Sequence, residues 1–310
     1  CTLMAMKVLF PGALSTFQDQ GRIGFQKYGI TSSGSMDVRS AAMANALVGN
    51  DPKEAVLEIT VLGPMLQFTS PAVAAVAGAP MPLTLNQKPV PMNTSFSIQP
   101  GDLLSFGGVS AGCRSYLAVK GGFALEPVMG SCSTNTKCRI GGFQGRPLNS
   151  GDEIPLSLED PGSFTPKTLP VISCPKEVTL RTVAGPQEES FTEAGKQTFY
   201  SSAYQVSDSA DRMGYKLTGT PVENTGSVDI ISDGIVFGSV QIPPSGMPIV
   251  MMADHQTTGG YAKIATVISC DLPLLAQTKP GDTVRFAPVS IQEAQDLRRT
   301  FAESLKRFWN

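Results

Sequence analysis

The apolar runs of this chain are short, and glycine and proline keep interrupting them. Runs of about four to eight aliphatic and β-branched residues between such turn formers read as strands. In the first half they are Met6–Phe10, Leu57–Val61, Leu66–Thr69, Val73–Ala77, Ser95–Ile98, Leu103–Phe106 and Ser115–Val119. In the second half they are Val178–Val183, Tyr200–Val206, Tyr215–Thr218, Ile249–Met252, Ile264–Ile268 and Thr283–Phe286. One segment breaks the pattern. Over Met36–Val48 the residues Met36, Ala41, Met43, Ala44, Ala46 and Leu47 fit one stripe of a helix, with Ser33 or Ser35 as its cap and Gly49-Asn50 as its stop. Phe191–Thr198 and Leu272–Gln277 read as short helices. Ile291–Arg307 reads as an amphipathic one, with Ala294, Leu297, Phe301 and Leu305 on one face.

Composition supports a compact, turn-rich β protein. There are 31 glycines and 24 prolines among 310 residues, above their combined average usage of roughly 12%. Charged residues make up 16%, against about 25% in an average domain. The strand rhythm stops once, over Glu159–Pro175, which holds four prolines and a glycine. This predicts an N-terminal β domain over 1–160, a linker over 161–175 and a C-terminal β domain with a terminal helix over 176–310. Pro100-Gly101-Asp102, Ser150-Gly151-Asp152 and Pro280-Gly281-Asp282 each lead into a strand, a modest internal echo built on a common turn.

Several chemistries are excluded. The formal charge of −2 gives no basic surface for tracking nucleic-acid phosphates. The longest apolar stretches, Ala72–Ala79 and Met247–Ala253, are too short to span a bilayer as helices. Only Lys7 precedes a short apolar run near the start, so no signal peptide is expected. Met4 or Met6 is the expected native beginning, and the expected setting is a soluble cytoplasmic one. His255 is the single histidine, so a histidine-rich metal site is impossible. Cys1, Cys113, Cys132, Cys138, Cys174 and Cys270 form no C-x-x-C pair and are expected as free thiols. No metal site is expected. Gly195-Lys196 lacks the surroundings of a phosphate-binding loop, and no G-x-G-x-x-G opens a helix.

Four clusters hold polar chemistry. Asp254-His255-Gln256-Thr257-Thr258-Gly259-Gly260-Tyr261 offers a carboxylate, an amide and two hydroxyls beside paired glycines. Such glycines let a ligand approach the main chain, although a tight turn satisfying its own backbone accounts for them equally well. In Asp211-Arg212-Met213-Gly214-Tyr215, Arg212 either pairs locally with Asp211 or presents its guanidinium fork to a carboxylate or phosphate. Thr31-Ser32-Ser33-Gly34-Ser35-Met36-Asp37 stands at the mouth of the long helix, suited to an anion or simply to capping. Gly130–Thr134 with Gly141–Leu148, and above all Gly141-Gly142, reads as a ligand-facing loop or an irregular crossover.

Longer motifs in order carry a resemblance. They are Thr16–Arg22 (TFQDQGR), Ser33–Asp37 (SGSMD), Ala44–Asn50 (ANALVGN), Leu57–Thr60 (LEIT), Tyr116–Gly122 (YLAVKGG), Gly185-Pro186-Gln187, Asp211–Tyr215 and Gln256–Tyr261 (QTTGGY). With them the chain, from about Met6 to about Ala294, resembles the 5-oxoprolinase C subunit family, also called allophanate hydrolase subunit 2, KipA or the biotin-dependent carboxyltransferase family. The resemblance implies a mainly β fold of two tandem cyclophilin-like β-barrel domains with a few short helices. For partners it implies a KipI-like B subunit together with a LamB/YcsF-like A subunit; the charge and the short apolar runs add the expectation of no nucleic acid and no membrane. The implied activity is ATP-dependent cleavage of 5-oxo-L-proline to L-glutamate by the assembly. The alternatives are a carboxyltransferase or allophanate-hydrolase-type role in a biotin-dependent, urea-metabolising enzyme, and a non-enzymatic antagonist of a sensor-kinase inhibitor. Ala262 departs from the family, whose members usually carry proline there; the expected effect is on turn rigidity.

Activating a lactam requires groups that stabilise charge developing on its oxygen. Asp254, Arg212 and Asp211 are the expected catalytic residues. Gln256, Thr257, Thr258, Gly259, Gly260, Tyr261, Arg146, Arg114, Ser33 and Asp37 are the expected substrate-binding ones, with Lys263 a further candidate donor. ATP with Mg²⁺, shared with a partner protein, is the expected cofactor, and biotin in the alternative. Asp254 or Asp211 is the candidate to hold Mg²⁺. His255 is expected at the surface or behind the residues that touch substrate.

Overall fold

A computed structural model describes residues 5–310, so Cys1 and Met4 lie outside the described residues. The chain divides into two compact units. Among the described residues the first comprises 5–22, 33–174 and 305–310; the second comprises 23–32 and 175–304. The ranges read from the sequence are contiguous and so miss two exchanges: Ile23–Ser32 belongs with the second unit and Leu305–Asn310 with the first.

In the first unit a six-stranded sheet runs in the order Glu153–Pro155, Ala5–Phe10, Met65–Phe68, Leu103–Phe106, Leu83–Leu85, Lys88–Pro89. A five-stranded sheet runs Leu14–Gln18, Val56–Thr60, Arg114–Val119, Ala72–Gly78, Phe96–Ile98. Both contribute to one core, with Val8, Leu66 and Leu104 from the first and Phe17, Ile59 and Leu117 from the second. Helix α1 (Val38–Val48) covers the other face of the five-stranded sheet. The strand Ala72–Gly78 is therefore buried on both sides. Ala72, Ala74 and Val76 join the core between the sheets, while Val73, Ala75 and Ala77 meet α1, the two-residue alternation of a strand. Alanine at 75 and 77 lets the helix approach closely. The α1 cap is Asp37, not Ser33 or Ser35: its carboxylate accepts from the Arg39 and Ser40 backbone N–H groups, both at 3.0 Å.

The proline-rich segment predicted as a linker packs onto this unit. The Leu169 N–H donates to the Asn93 carbonyl, and the Ser95 N–H to the Lys167 carbonyl. Ile172 is buried, and Phe164 and Leu169 lie against the α1 cluster. Apolar residues between the prolines give the segment something to bury, so it is held as a strap.

The second unit closes a seven-stranded barrel in the order Glu177–Ala184, Lys263–Val267, Ser239–Gln241, Ile249–Met251, Gly214–Thr218, Tyr204–Val206, Thr283–Pro288. The closing pair, Glu177–Ala184 with Thr283–Pro288, is parallel; its neighbours are antiparallel. Helix α2 (Glu193–Ser201), capped by Thr192, stacks Phe199 on Phe286 at 4.3 Å between ring centroids. Tyr200 lies inside α2, so the strand expected from Tyr200 begins at Tyr204; burial of Phe199 carries the helix past the apolar run. Helix α3 spans Leu272–Ala276 and α4 spans Ile291–Lys306. Of the α4 stripe, Ala294, Leu297, Phe301 and Leu305 are half-buried. No helix among the described residues is long and apolar enough to cross a membrane.

The three Gly-Asp echoes are one turn built three times. Asp102, Asp152 and Asp282 each accept a hydrogen bond from the backbone N–H three residues earlier, at 2.7, 2.7 and 3.0 Å. The glycine of each is left-handed, with φ of 91°, 91° and 87°, a region that favours glycine. Each turn exchanges two backbone hydrogen bonds with a strand residue, Phe68, Val8 and Val206 respectively. Two copies lie in the first unit and one in the second.

Candidate functional site

In the second unit the barrel strands bring Arg212 against Asp254. The Arg212 Nε and Nη2 atoms donate to Asp254 Oδ2 and Oδ1 at 2.9 and 3.1 Å, the two-pronged geometry of a strong charge-assisted pair. The side chains are 8% and 7% exposed, so neither charge is left to water. The backbones are tied as well: Asp254 N–H donates to Arg212 O, and Met252 N–H to Met213 O. Asp211 takes no part in that pair. Its Oδ1 accepts from the Met213 and Gly214 N–H groups at 2.8 and 3.1 Å, closing the turn that aims Arg212. The sequence-adjacent pair is thus replaced by one 42 residues apart.

The QTTGGY motif is not a tight turn. Thr258–Tyr261 forms a strand that pairs with Asp229–Gly234 in a two-stranded ribbon. Neither Gly259 nor Gly260 has a positive φ. Gly259 is required for space: a Cβ there would lie 2.6 Å from Ile235 Cδ1, 2.7 Å from Gln241 Nε2 and 2.8 Å from Gln256 Nε2. Two side-chain amides therefore converge over one glycine. Gln241 is 3% exposed, and its Nε2 has no hydrogen-bond partner in the protein. Gln256, Thr258 and Tyr261 are exposed, and Thr257 and Gly260 half-buried. The Thr257 carbonyl accepts from Ile235 N–H. Ala262 donates its N–H to Val228 O at 2.8 Å, a bond that proline lacks. Ala262 thus adds a link at the ribbon's base.

His255 is buried, at 2% exposure, rather than at the surface. Its Nδ1 lies 2.7 Å from the Gln256 carbonyl. Burial pushes its pKa below the ordinary histidine value, partly countered by the Gln256 carbonyl and Asp254. Lys263, 3% exposed in its side chain, bonds Asp233 at 2.9 Å. Gln187 donates to the same Asp233 carboxylate and accepts from Lys263 N–H. This triad ties the ribbon to the barrel.

The other expected residues lie in the first unit, in two separate places. Arg114 is buried with Glu58, Nε to Oε1 at 3.8 Å. Glu58 also accepts from Tyr116 Oη and Met36 N–H, both at 2.8 Å, and Tyr116 Oη accepts from Asp37 N–H. Burial, then Glu58 and Asp37, raise the Tyr116 phenol well above its ordinary pKa. Ser33 is held left-handed, with φ 55°, and its Oγ accepts from Asn135. These groups fasten the start of α1 to the sheet. Arg146 is elsewhere, in a two-pronged pair with Asp152 at 2.8 Å for both contacts. Gly141 and Gly142 face their own loop: a Cβ on Gly141 would lie 2.0 Å from Ser133 O, and one on Gly142 1.9 Å from Thr134 Oγ1. That loop is clamped by Asp19, which accepts from Ser131 Oγ, Ser133 Oγ and Cys132 N–H. Burial, with Asp19 and Glu54, pushes the Cys132 thiol up to about 11. The five described cysteines are free. Among the described residues no group of three or more His, Cys, Asp or Glu is placed to hold a metal ion.

Residues 28–288 match the family model for the carboxyltransferase domain, subdomains A and B. The chain belongs to this carboxyltransferase family. It is 36% identical over 285 residues to the 5-oxoprolinase C subunit of Haemophilus influenzae, covering 92% of this chain and 91% of that protein. It is 36% identical over 309 residues to the 5-oxoprolinase C subunit of Escherichia coli, covering 98% and 99%. Among solved structures, the K. lactis urea amidolyase superposes with a TM-score of 0.93 at 31% identity, over 99% of this chain. This carboxyltransferase-family chain spans only 20% of that much longer chain. Gln241, Glu58 and Asp233 were missed in the sequence. Gln241 ends a three-residue strand outside every glycine-rich motif, so only its position over Gly259 singles it out.

Proposed function

We propose that this chain is the C subunit of an ATP-dependent 5-oxoprolinase, acting with KipI-like and LamB/YcsF-like partner subunits. The observation that carries this reading is the near end-to-end match at 36% identity to two proteins of that name. The similarity to urea amidolyase is lower in identity and covers one part of a large chain. The second-unit site suits a lactam. The Gln241 and Gln256 amides are donors for its ring carbonyl oxygen, and the buried donor has no competing partner. Arg212, held two-pronged by Asp254, supplies positive charge as negative charge develops on that oxygen. Thr257 and Thr258 offer hydroxyls to the substrate carboxylate.

The residues present do not fit a complete ATP–Mg²⁺ site. Asp254 is occupied by Arg212, Asp211 by its turn and Arg146 by Asp152. No acidic cluster among the described residues is placed to hold the metal. In this reading a partner protein supplies the nucleotide site, and this chain's part is to bind and polarise the lactam. In the urea-metabolising alternative the same two amides suit the ureido carbonyl of biotin.

The test mixes the full chain with both purified partner proteins, 5-oxo-L-proline and ATP. Glutamate release that needs all three proteins is expected, and the isolated chain is expected to be inactive. Glutamate release indifferent to this chain, or carboxyl transfer to urea in a biotin-dependent assay instead, overturns the reading.

A further inference from the structure

The first unit holds a cavity of about 330 Å³ that plays no part in the reading above. That volume lies at the small end of sites for small molecules. Its floor is the last turn of α1, including Leu47, and Val73 of the adjoining strand. Phe164 of the proline-rich strap and Trp309 supply aromatic walls. Lys120 and Lys167 also line it, and no acidic side chain does.

The two lysines decide the character of the cavity. Each is half-buried. Lys120 Nζ donates to the Pro161 carbonyl at 2.8 Å, and Lys167 Nζ to the Phe308 carbonyl. These bonds pin the strap and the C-terminal segment, but each takes only one of the three N–H donors that an ammonium carries. Both partners are neutral carbonyls, so two positive charges share a mixed polar and apolar cavity with no acidic side chain in its lining. A partly desolvated cation pair of this kind favours an anion more strongly than exposed lysines do. Trp309 is anchored in this wall, its indole N–H donating to Asn50 O at 2.8 Å.

We propose that this cavity binds a small organic carboxylate with an aromatic or bulky apolar body. The carboxylate accepts from Lys120 and Lys167, and the body packs between Phe164, Trp309 and the aliphatic floor. The inference stands apart from the 5-oxoprolinase reading, because none of its residues belongs to the second-unit site.

Trp309 is the chain's single tryptophan, so its fluorescence reports the cavity alone. The full 310-residue chain is titrated with phenylacetate, with the neutral isostere phenylacetamide, and with inorganic phosphate as an anion without an apolar body. Phenylacetate is expected to give a saturable change in Trp309 emission, and the other two at least about tenfold weaker responses, the 1.4 kcal/mol equivalent of one lost charged contact. Lys120→Met and Lys167→Met keep the aliphatic stem and are each expected to weaken phenylacetate about tenfold. If Lys167→Met fails to fold by circular dichroism, Lys120→Met and the amide comparison still decide. No saturable response, equal binding of the amide, or full affinity in a folded lysine variant overturns the proposal.

Discussion

Each unit buries an arginine against a carboxylate, and the two sites do different work. In the first unit Glu58 is only 3.8 Å from Arg114 Nε, but it collects the Met36 N–H and the Tyr116 hydroxyl. Its role is to join the entry of α1 to the sheet. In the second unit Arg212 and Asp254 bind each other in two-pronged fashion. On the barrel strand Ser239–Gln241 of the same unit, the buried amide donor of Gln241 has no protein partner. A buried ion pair alone therefore does not mark a reactive site. What distinguishes the second unit is the place of its unspent donor, over Gly259 beside the second amide of Gln256.

The largest expected effect tests the second-unit pair. Asp254→Ala strands a buried guanidinium and is expected to cost about 3–5 kcal/mol in urea denaturation. The double variant Arg212→Met/Asp254→Leu is expected to recover most of that stability while glutamate release by the assembly stays lost. Recovery of both would make the pair purely architectural. Next, Glu58→Ala is expected to cost about 2–4 kcal/mol, because two buried donors lose their acceptor. The substrate KM of the folded fraction should stay unchanged; a shifted KM would move the site into the first unit.

Gln241→Met sharpens the contrast. Removing an unsatisfied buried donor is expected to raise stability by about 1 kcal/mol. The same change should lower kcat/KM of the assembly about tenfold, the trade of stability for activity common at binding sites. Lower stability at full activity would give Gln241 a packing role.

The smallest effect is the pH response of His255. Its folded pKa lies below the ordinary value of 6.5, so the unfolded chain takes up the proton first. Its contribution is constant above about pH 6.5 and declines as the pH falls from there toward the folded pKa. A thermal-denaturation series from pH 8 to pH 5 should therefore show a shallower acid decline for His255→Asn than for the parent. Identical slopes would show that burial does not depress this imidazole.

Much of the fold was legible because strands and turns are local. Val73–Ala77, Leu103–Phe106 and Thr283–Phe286 announce themselves by β-branched or apolar runs between turn formers, and all three are strands. The Gly-Asp turns were visible for the same reason. The Thr258–Tyr261 strand was not, since glycine and threonine there suggest a turn; pairing with Asp229–Gly234 overrides that preference. The Asp37 cap was missed because nearby serines compete equally in sequence. Of the candidate site residues, Arg212 and Asp254 come together as side chains, whereas Arg114, Arg146, Ser33 and Asp37 lie in the other unit.

The sequence by itself determined the mainly β character, the one long helix and the turns that punctuate the strands, because each depends on residues within a few positions of one another. Only the tertiary structure decided which charges meet. Asp211 lost Arg212 to Asp254 because strand pairing sets side-chain neighbours across 42 residues. Gln241 gained its place over Gly259 because the ribbon packs where a side chain has no room. Burial then turned ordinary groups into costly or useful ones, through the loss of water that no local pattern records.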